Sequence, residues 1–219
     1  MSSSLLQLLV LAGIAIFLIL KLRSVLGTRD GYENPPAEGP ARRAEPRRDF
    51  EVIEGGPDRD IVDHVADGSD AAKALAAMKM AEPGFSVSEF LQGARGAYEM
   101  ILMAFENGDI DGLRAFLADD VMDTFEEVIR QREEQGLSID ASFVGVRELV
   151  LQDASFDRTD NMGEVTVRFV AELTSAVRNA AGEVVEGDPN AIKRQRDVWT
   201  FGRKMGSTDP NWVLVATGG

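Results

Sequence analysis

GEVTVRFVAELTSAVRN, residues 163–179, alternates polar and apolar side chains from Glu164 to Phe169 and again from Ala171 to Thr174, with Val170 the one exception between them. Val165, Val167, Phe169, Ala171 and Leu173 point one way; Thr166, Arg168, Glu172 and Thr174 point the other. A period of two is the signature of a strand with one face on a core. The same period runs through SIDASFVGVRELVLQ (138–152), KRQRDVWTFGRKM (193–205) and WVLVAT (212–217), which predicts four antiparallel strands. Turn-forming residues lie between them: Asn161, Ala181-Gly182 and Gly206 to Asp209. Within this block GDPNAIKRQR, Gly187 to Arg196, reads as a loop interrupting the strands.

Upstream of residue 137 the period becomes helical. SDAAKALAAMKMAEPG (69–84) is rich in helix formers and stops at Pro83-Gly84. Ser86 and Glu89 then have capping-box spacing ahead of a long helix. Phe90, Ala94, Ala97, Ile101, Ala104 and Phe105 form its apolar stripe, widened by Leu91, Tyr98 and Leu102. Gly93 and Gly96 weaken this helix, which predicts another backbone passing close by. Asn107-Gly108 breaks the chain, Asp109 caps IDGLRAFLA, and DDVMDTFEEVIRQREEQG forms a last helix ended by Gly136. Helices followed by a strand block predict an α+β domain over 69–219, with helices on one face of a curved antiparallel sheet.

Residues 30–68 hold most of the eight prolines together with glycine and mixed charge. That composition buries too little apolar surface to offset chain entropy, so a flexible linker is expected, with a reach of about 35 Å for some forty residues. The sole histidine, His64, reads as a solvated member of it. Ahead of the linker, residues 1–29 carry LLQLLVLAGIAIFLIL, in which Gln7 is the only polar side chain between Leu5 and Leu20. Leu5, Leu11, Ile16, Phe17 and Leu20 represent an apolar helix of about 24 Å, which Lys21 extends by snorkelling. Lys21, Arg23 and Arg29 follow the run and none precedes it, unlike a cleaved signal. The positive-inside rule then places the rest of the chain in the cytoplasm behind a retained single-pass anchor.

The net charge of −14 disfavours nucleic acid, whose phosphates need Lys and Arg. Without cysteine and with one histidine, neither a Cys–His or Ser–His–Asp set nor a Cys-based metal site can be assembled. No phosphate-binding glycine loop or zinc-protease spacing is present. No catalytic, cofactor-binding or metal-binding residue is therefore expected. One narrow chemical alternative is proton transfer by Tyr98 with a buried carboxylate, Asp197 or Glu172, in an isomerase-like pocket for a small molecule or lipid. The plain reading of Trp199, Phe201 and Trp212 is core. The functional reading joins them to Phe90, Tyr98, Ile101 and Phe105 as a pocket or groove for a partner.

FLQGARGAYEMILMAFENGD, REEQG, GEVTVRFVAELTSAVRNAAGEVVEGDP and DVWTFGRKMGSTDPNWVLVAT, in this order, resemble the Tim44-like family. The apolar N-terminus, LGTRDG and the acidic Pro-rich stretch are similar to its bacterial, TimA-type members. That resemblance implies a nuclear-transport-factor-two-like cone, with helices on a strongly bent sheet around an apolar pocket. It implies a non-enzymatic adaptor at the bacterial inner membrane, facing the cytoplasm and acting in protein translocation or membrane-protein handling. The partners it implies are translocase, chaperone or nascent chain. Self-association through the outer sheet face stays open as a structural alternative.

Overall fold

The computed structural model describes residues 56–218. Five helices precede four strands among them: α1 (Arg59–Val62), α2 (Asp70–Ala81), α3 (Val87–Asn107), α4 (Ile110–Leu113), α5 (Asp119–Glu134), β1 (Ser138–Asp157), β2 (Met162–Arg178), β3 (Val184–Lys204) and β4 (Val213–Gly218). The strands form one antiparallel sheet in the order β1-β2-β3-β4. The α+β organisation expected from the two periodicities is therefore present.

Local signals explain the helix boundaries. Ser69 and Ser86 sit at the N-caps of α2 and α3, their hydroxyls accepting from the Ala72 and Glu89 amides at 3.1 and 3.3 Å. Gly108 ends α3 with φ of 71°, a left-handed conformation that other residues rarely adopt. Asp109 caps α4 through the Gly112 amide at 2.9 Å, although α4 is a single turn rather than the nine-residue helix expected there. The core is continuous across both layers. Val165, Val167, Phe169, Ala171 and Leu173 are fully sealed and pack in one cluster with Leu75, Met78, Tyr98, Ile101 and Ile129 of the helices. Each such large side chain contributes roughly 1.5–3 kcal/mol of burial free energy.

Three sequence expectations need correction. The loop expected over 187–196 is part of β3: Gly187 and Asp188 pair with Ala176 and Ser175, and Lys193 to Arg196 pair with Leu173 to Val170. Only the residues between Asp188 and Lys193 fall out of register, and Pro189, which has no amide to donate, lies there. Gly187 is required at its position, because φ is +77° and a Cβ would come within 2.3 Å of the Ser175 carbonyl oxygen. No backbone approaches Gly93 or Gly96, where an added Cβ would meet nothing within 4 Å. Finally, the end of the presumed linker is folded. Ile61 is buried, Val65 packs against the core, and His64 is half-buried with Nε2 3.3 Å from the Ser88 hydroxyl. The anchor residues Leu5, Leu11, Ile16, Phe17, Leu20, Lys21 and Arg23 lie outside the described residues, as does the linker up to residue 55. Among the described residues no helix is long and apolar enough to cross a membrane.

Candidate partner-binding groove

A groove of about 560 Å³ opens between the first half of α3, the turn before it and the connection from β3 to β4. Its walls follow from local sequence. Ser86 starts α3, so that Phe90, Gly93, Ala94 and Ala97 project along one side, and the small side chains leave room in front of the helix. Phe85 stands just before the cap. The β3 alternation brings Phe201 and Arg203 to the same side, and Trp212 arrives on the irregular chain ahead of β4.

Aromatic rings hold the walls together. Trp212 lies 4.6 Å from Phe90 and 5.8 Å from Phe85, centroid to centroid, and Phe90 meets Phe201 edge-on at 6.1 Å. Trp212 itself stays half-exposed at the groove. Below it the Arg203 guanidinium sits 5.2 Å from the indole centroid and donates to Glu82 Oε1 at 2.7 Å. The Gly206 amide donates to the other Glu82 oxygen at 2.8 Å. Burial works to raise the Glu82 pKa, but the bonds from Arg203 and Gly206 outweigh it and hold the carboxyl below its ordinary range. Arg203 is 8% exposed, and its Nε–H has no hydrogen-bond partner among the described residues.

Of the residues singled out as a pocket, the groove uses Phe90, Phe201 and Trp212. Tyr98, Ile101 and Trp199 are core instead: the Tyr98 ring stacks on Phe169 at 4.4 Å and lies 4.6 Å from Trp199. Phe105 lies farther along α3 against Phe125, with the Arg132 guanidinium 5.2 Å from its ring. Burial lowers the Arg132 pKa, offset in part by Glu106 and Glu133.

Tyr98 and Asp197, ninety-nine residues apart, do meet: the hydroxyl donates to Asp197 Oδ2 at 2.5 Å, and the Gln195 amide donates to the same oxygen at 3.0 Å. Burial first, and the carboxylate second, push the Tyr98 pKa far above its ordinary value, so the phenol stays protonated. Glu172, the other acid considered, faces outward between Arg147 and Arg194, whose bonds lower its pKa. Glu82, Phe85 and Arg203 were not foreseen. The signal for Arg203 was its parity, because Trp199, Phe201, Arg203 and Met205 alternate inward, and an arginine in an inward row requires a buried partner. No cluster of side chains suited to holding a metal ion occurs among the described residues.

Residues 71–219 match the model of the Tim44-like domain. The chain belongs to the Tim44-like family. It is 25% identical over 160 residues to the human mitochondrial import inner membrane translocase subunit TIM44, and 24% identical over 160 residues to the rat protein. Each match takes in 71% of this chain but only 35% of the relative. Among solved structures, the intermembrane space region of the chloroplast protein ARC6 aligns with 58% of this chain and 94% of its own, at 12% identity and a TM-score of 0.40.

The groove falls wholly within the Tim44-like match, yet the packing of this Tim44-like domain begins earlier. Asp60, in α1, accepts from the Val87 and Ser88 amides at 2.7 and 2.9 Å and from the Ser88 hydroxyl at 2.6 Å. It also pairs with Lys79 at 2.8 Å. A carboxylate at the start of α3 satisfies amides that the helix leaves unpaired and meets the positive end of its dipole. Burial opposes ionisation of Asp60, but Lys79 and Ser88 outweigh it and hold the carboxyl far below its usual range. The chain that leads back to the N-terminus is thus fastened at the mouth of the groove helix.

Proposed function

We propose that this protein is a non-enzymatic adaptor that holds a polypeptide at the bacterial inner membrane, in protein translocation or membrane-protein handling. The apolar run at 5–20 serves as a single-pass anchor, the Pro-rich stretch as a tether, and the Tim44-like domain as the binding module on the cytoplasmic side. In this proposal the domain takes the nuclear-transport-factor-two-like form, a use to which the bulged strand β1, with register shifts at Phe143/Gly145, Val146/Glu148 and Leu151/Asp153, is suited.

The observation that carries the proposal is the aromatic groove at α3, an apolar recess whose volume falls within the range of about 300–1,000 Å³ usual for ligand sites. Family membership adds support, since the mitochondrial relatives are named as translocase subunits. Tethering raises the effective concentration of a partner toward the millimolar range, so modest groove affinity suffices. A non-enzymatic role is favoured because Tyr98, the best candidate for proton transfer with the half-buried Asp197, is itself sealed in the core with its phenol held protonated.

Photocrosslinking in intact cells from Asn211, at the rim of the groove, tests the proposal, with the native chain compared to one lacking residues 2–26. Protein adducts that disappear with the anchor are expected. Adducts that are unchanged without it would remove the tethering role, and a trapped small molecule in place of protein would remove the adaptor role.

A further inference from the structure

The groove contains a buried donor with no acceptor among the described residues. Arg203 is more than nine-tenths buried, its Nη2 serves Glu82, and its Nε–H has no acceptor among the described residues. An orphaned buried donor costs roughly 1–3 kcal/mol, so its retention calls for a compensating role. The half-exposed Trp212 indole lies over the guanidinium, and that ring is carried by irregular chain.

Charge decides what the donor would take. The positive charge of Arg203 is already balanced by Glu82. Glu89, on the same groove, has no cationic partner among the described residues, so the recess carries a surplus negative charge. A carboxylate or a lipid phosphate would enter against that charge, whereas an uncharged carbonyl oxygen would not. Main-chain carbonyls inside a formed helix are occupied by its own amides; those of an extended chain are free. The walls are aromatic and want a large apolar side chain beside the acceptor.

Resting on the adaptor reading above, we infer that the groove binds an extended polypeptide segment, with a bulky apolar side chain between Phe85, Phe90 and Trp212 and a main-chain carbonyl accepting from Arg203 Nε–H. Trp212 is the cover that moves aside as the segment seats. The site is thus selective for unfolded or strand-like chain over a helix and over an anionic headgroup.

The test uses the full chain in detergent micelles with Trp199→Phe, which leaves Trp212 as the sole tryptophan of the two in the sequence. The probe is an acetylated, amidated heptapeptide of alternating Phe and Thr, and Trp212 emission is followed during titration. Saturable change is expected. Arg203→Lys, which keeps the charge for Glu82 but removes the Nε–H, should weaken binding about tenfold, in line with one lost hydrogen bond to a charged donor. A thioamide version of the peptide, a poorer acceptor, should bind several-fold more weakly to the unaltered chain, which keeps the test decisive should Arg203→Lys fail to fold. Gly93→Leu, at a helical position open to space, should fill the groove and abolish binding while the domain stays folded.

Equal binding of the amide and thioamide peptides, or to Arg203→Lys, would overturn the carbonyl assignment while leaving the groove as the docking site. Binding unaffected by Gly93→Leu would overturn the groove itself. A Trp212 response to phosphatidylglycerol vesicles but not to peptide would assign the site to a lipid headgroup instead. None of these outcomes depends on the anchor, so they are separable from loss of the tethered adaptor role.

Discussion

The two halves of α3 present the same kind of sequence to opposite fates. In its first half, Phe90, Gly93, Ala94 and Ala97 look onto open space framed by Trp212 and Phe201. One turn later, Tyr98 and Ile101 are completely sealed, with Tyr98 wedged between Phe169 and Trp199. Both halves are apolar with helical period, so hydrophobicity alone does not separate a site from a core. What separates them is the size of the facing side chains. Small residues on α3 opposite a short, irregular lead into β4 leave a recess, whereas ring against ring leaves none.

Substitutions should expose this contrast through stability. Tyr98→Ala should give the largest effect, destabilising by on the order of 3–5 kcal/mol, because it empties a sealed aromatic site and strips Asp197 of the hydroxyl 2.5 Å away. Denaturant unfolding measures it. A loss below about 1 kcal/mol would mean that the middle of α3 is not core.

Asp60 joins the region before the family match to the start of the groove helix, and its loss should rank second. Asp60→Asn should cost roughly 1–3 kcal/mol at neutral pH, as charge-assisted bonds to two amides, a hydroxyl and Lys79 are weakened. The pH dependence has a definite sign. The folded-state pKa of Asp60 is depressed, so its contribution is complete above the unfolded value of about 3.9 and drains away as pH falls through the folded value. Glu82 acts in the same direction. Unfolding free energies followed from pH 7 down toward pH 2 should therefore converge for Asp60→Asn and the native chain; parallel curves would show that this carboxylate is not ionised against Lys79.

The smallest effect is opposite in sign. Gly93→Ala places a methyl group into open space on a helix, so it should stabilise by about 0.5–1 kcal/mol. Destabilisation on thermal melting would indicate a close neighbour at that position.

These features were unequally legible in the sequence. Period two and period 3.6 located four strands and the major helices, because burial of one face imposes that pattern directly on the residues. Capping at Ser86 and Asp109 is equally local and is readable for the same reason. The groove was only half legible. Phe90, Phe201 and Trp212 stand out as aromatics, but so do Tyr98 and Trp199, and their separation depends on packing between elements far apart in the chain. Arg203 and Glu82 are 121 residues apart; the parity of β3 signals that Arg203 needs a buried partner, but nothing in the sequence names Glu82 as that partner. α1 is indistinguishable from the linker in the sequence because one turn with a single buried residue, Ile61, carries no periodic signal. The strand through Gly187–Arg196 was hidden by Pro189 and Gly187, which mark a loop as readily as a bulge.

The most direct measurement compares two surfaces of the full-length protein in cells. A photoreactive residue is placed either at Met100, half-exposed beside the groove, or at Val150, 38% exposed on β1. Protein adducts concentrated at position 100 and scarce at position 150 are the predicted result. Adducts at 150 with none at 100 would contradict the central claim and move the partner site away from the groove.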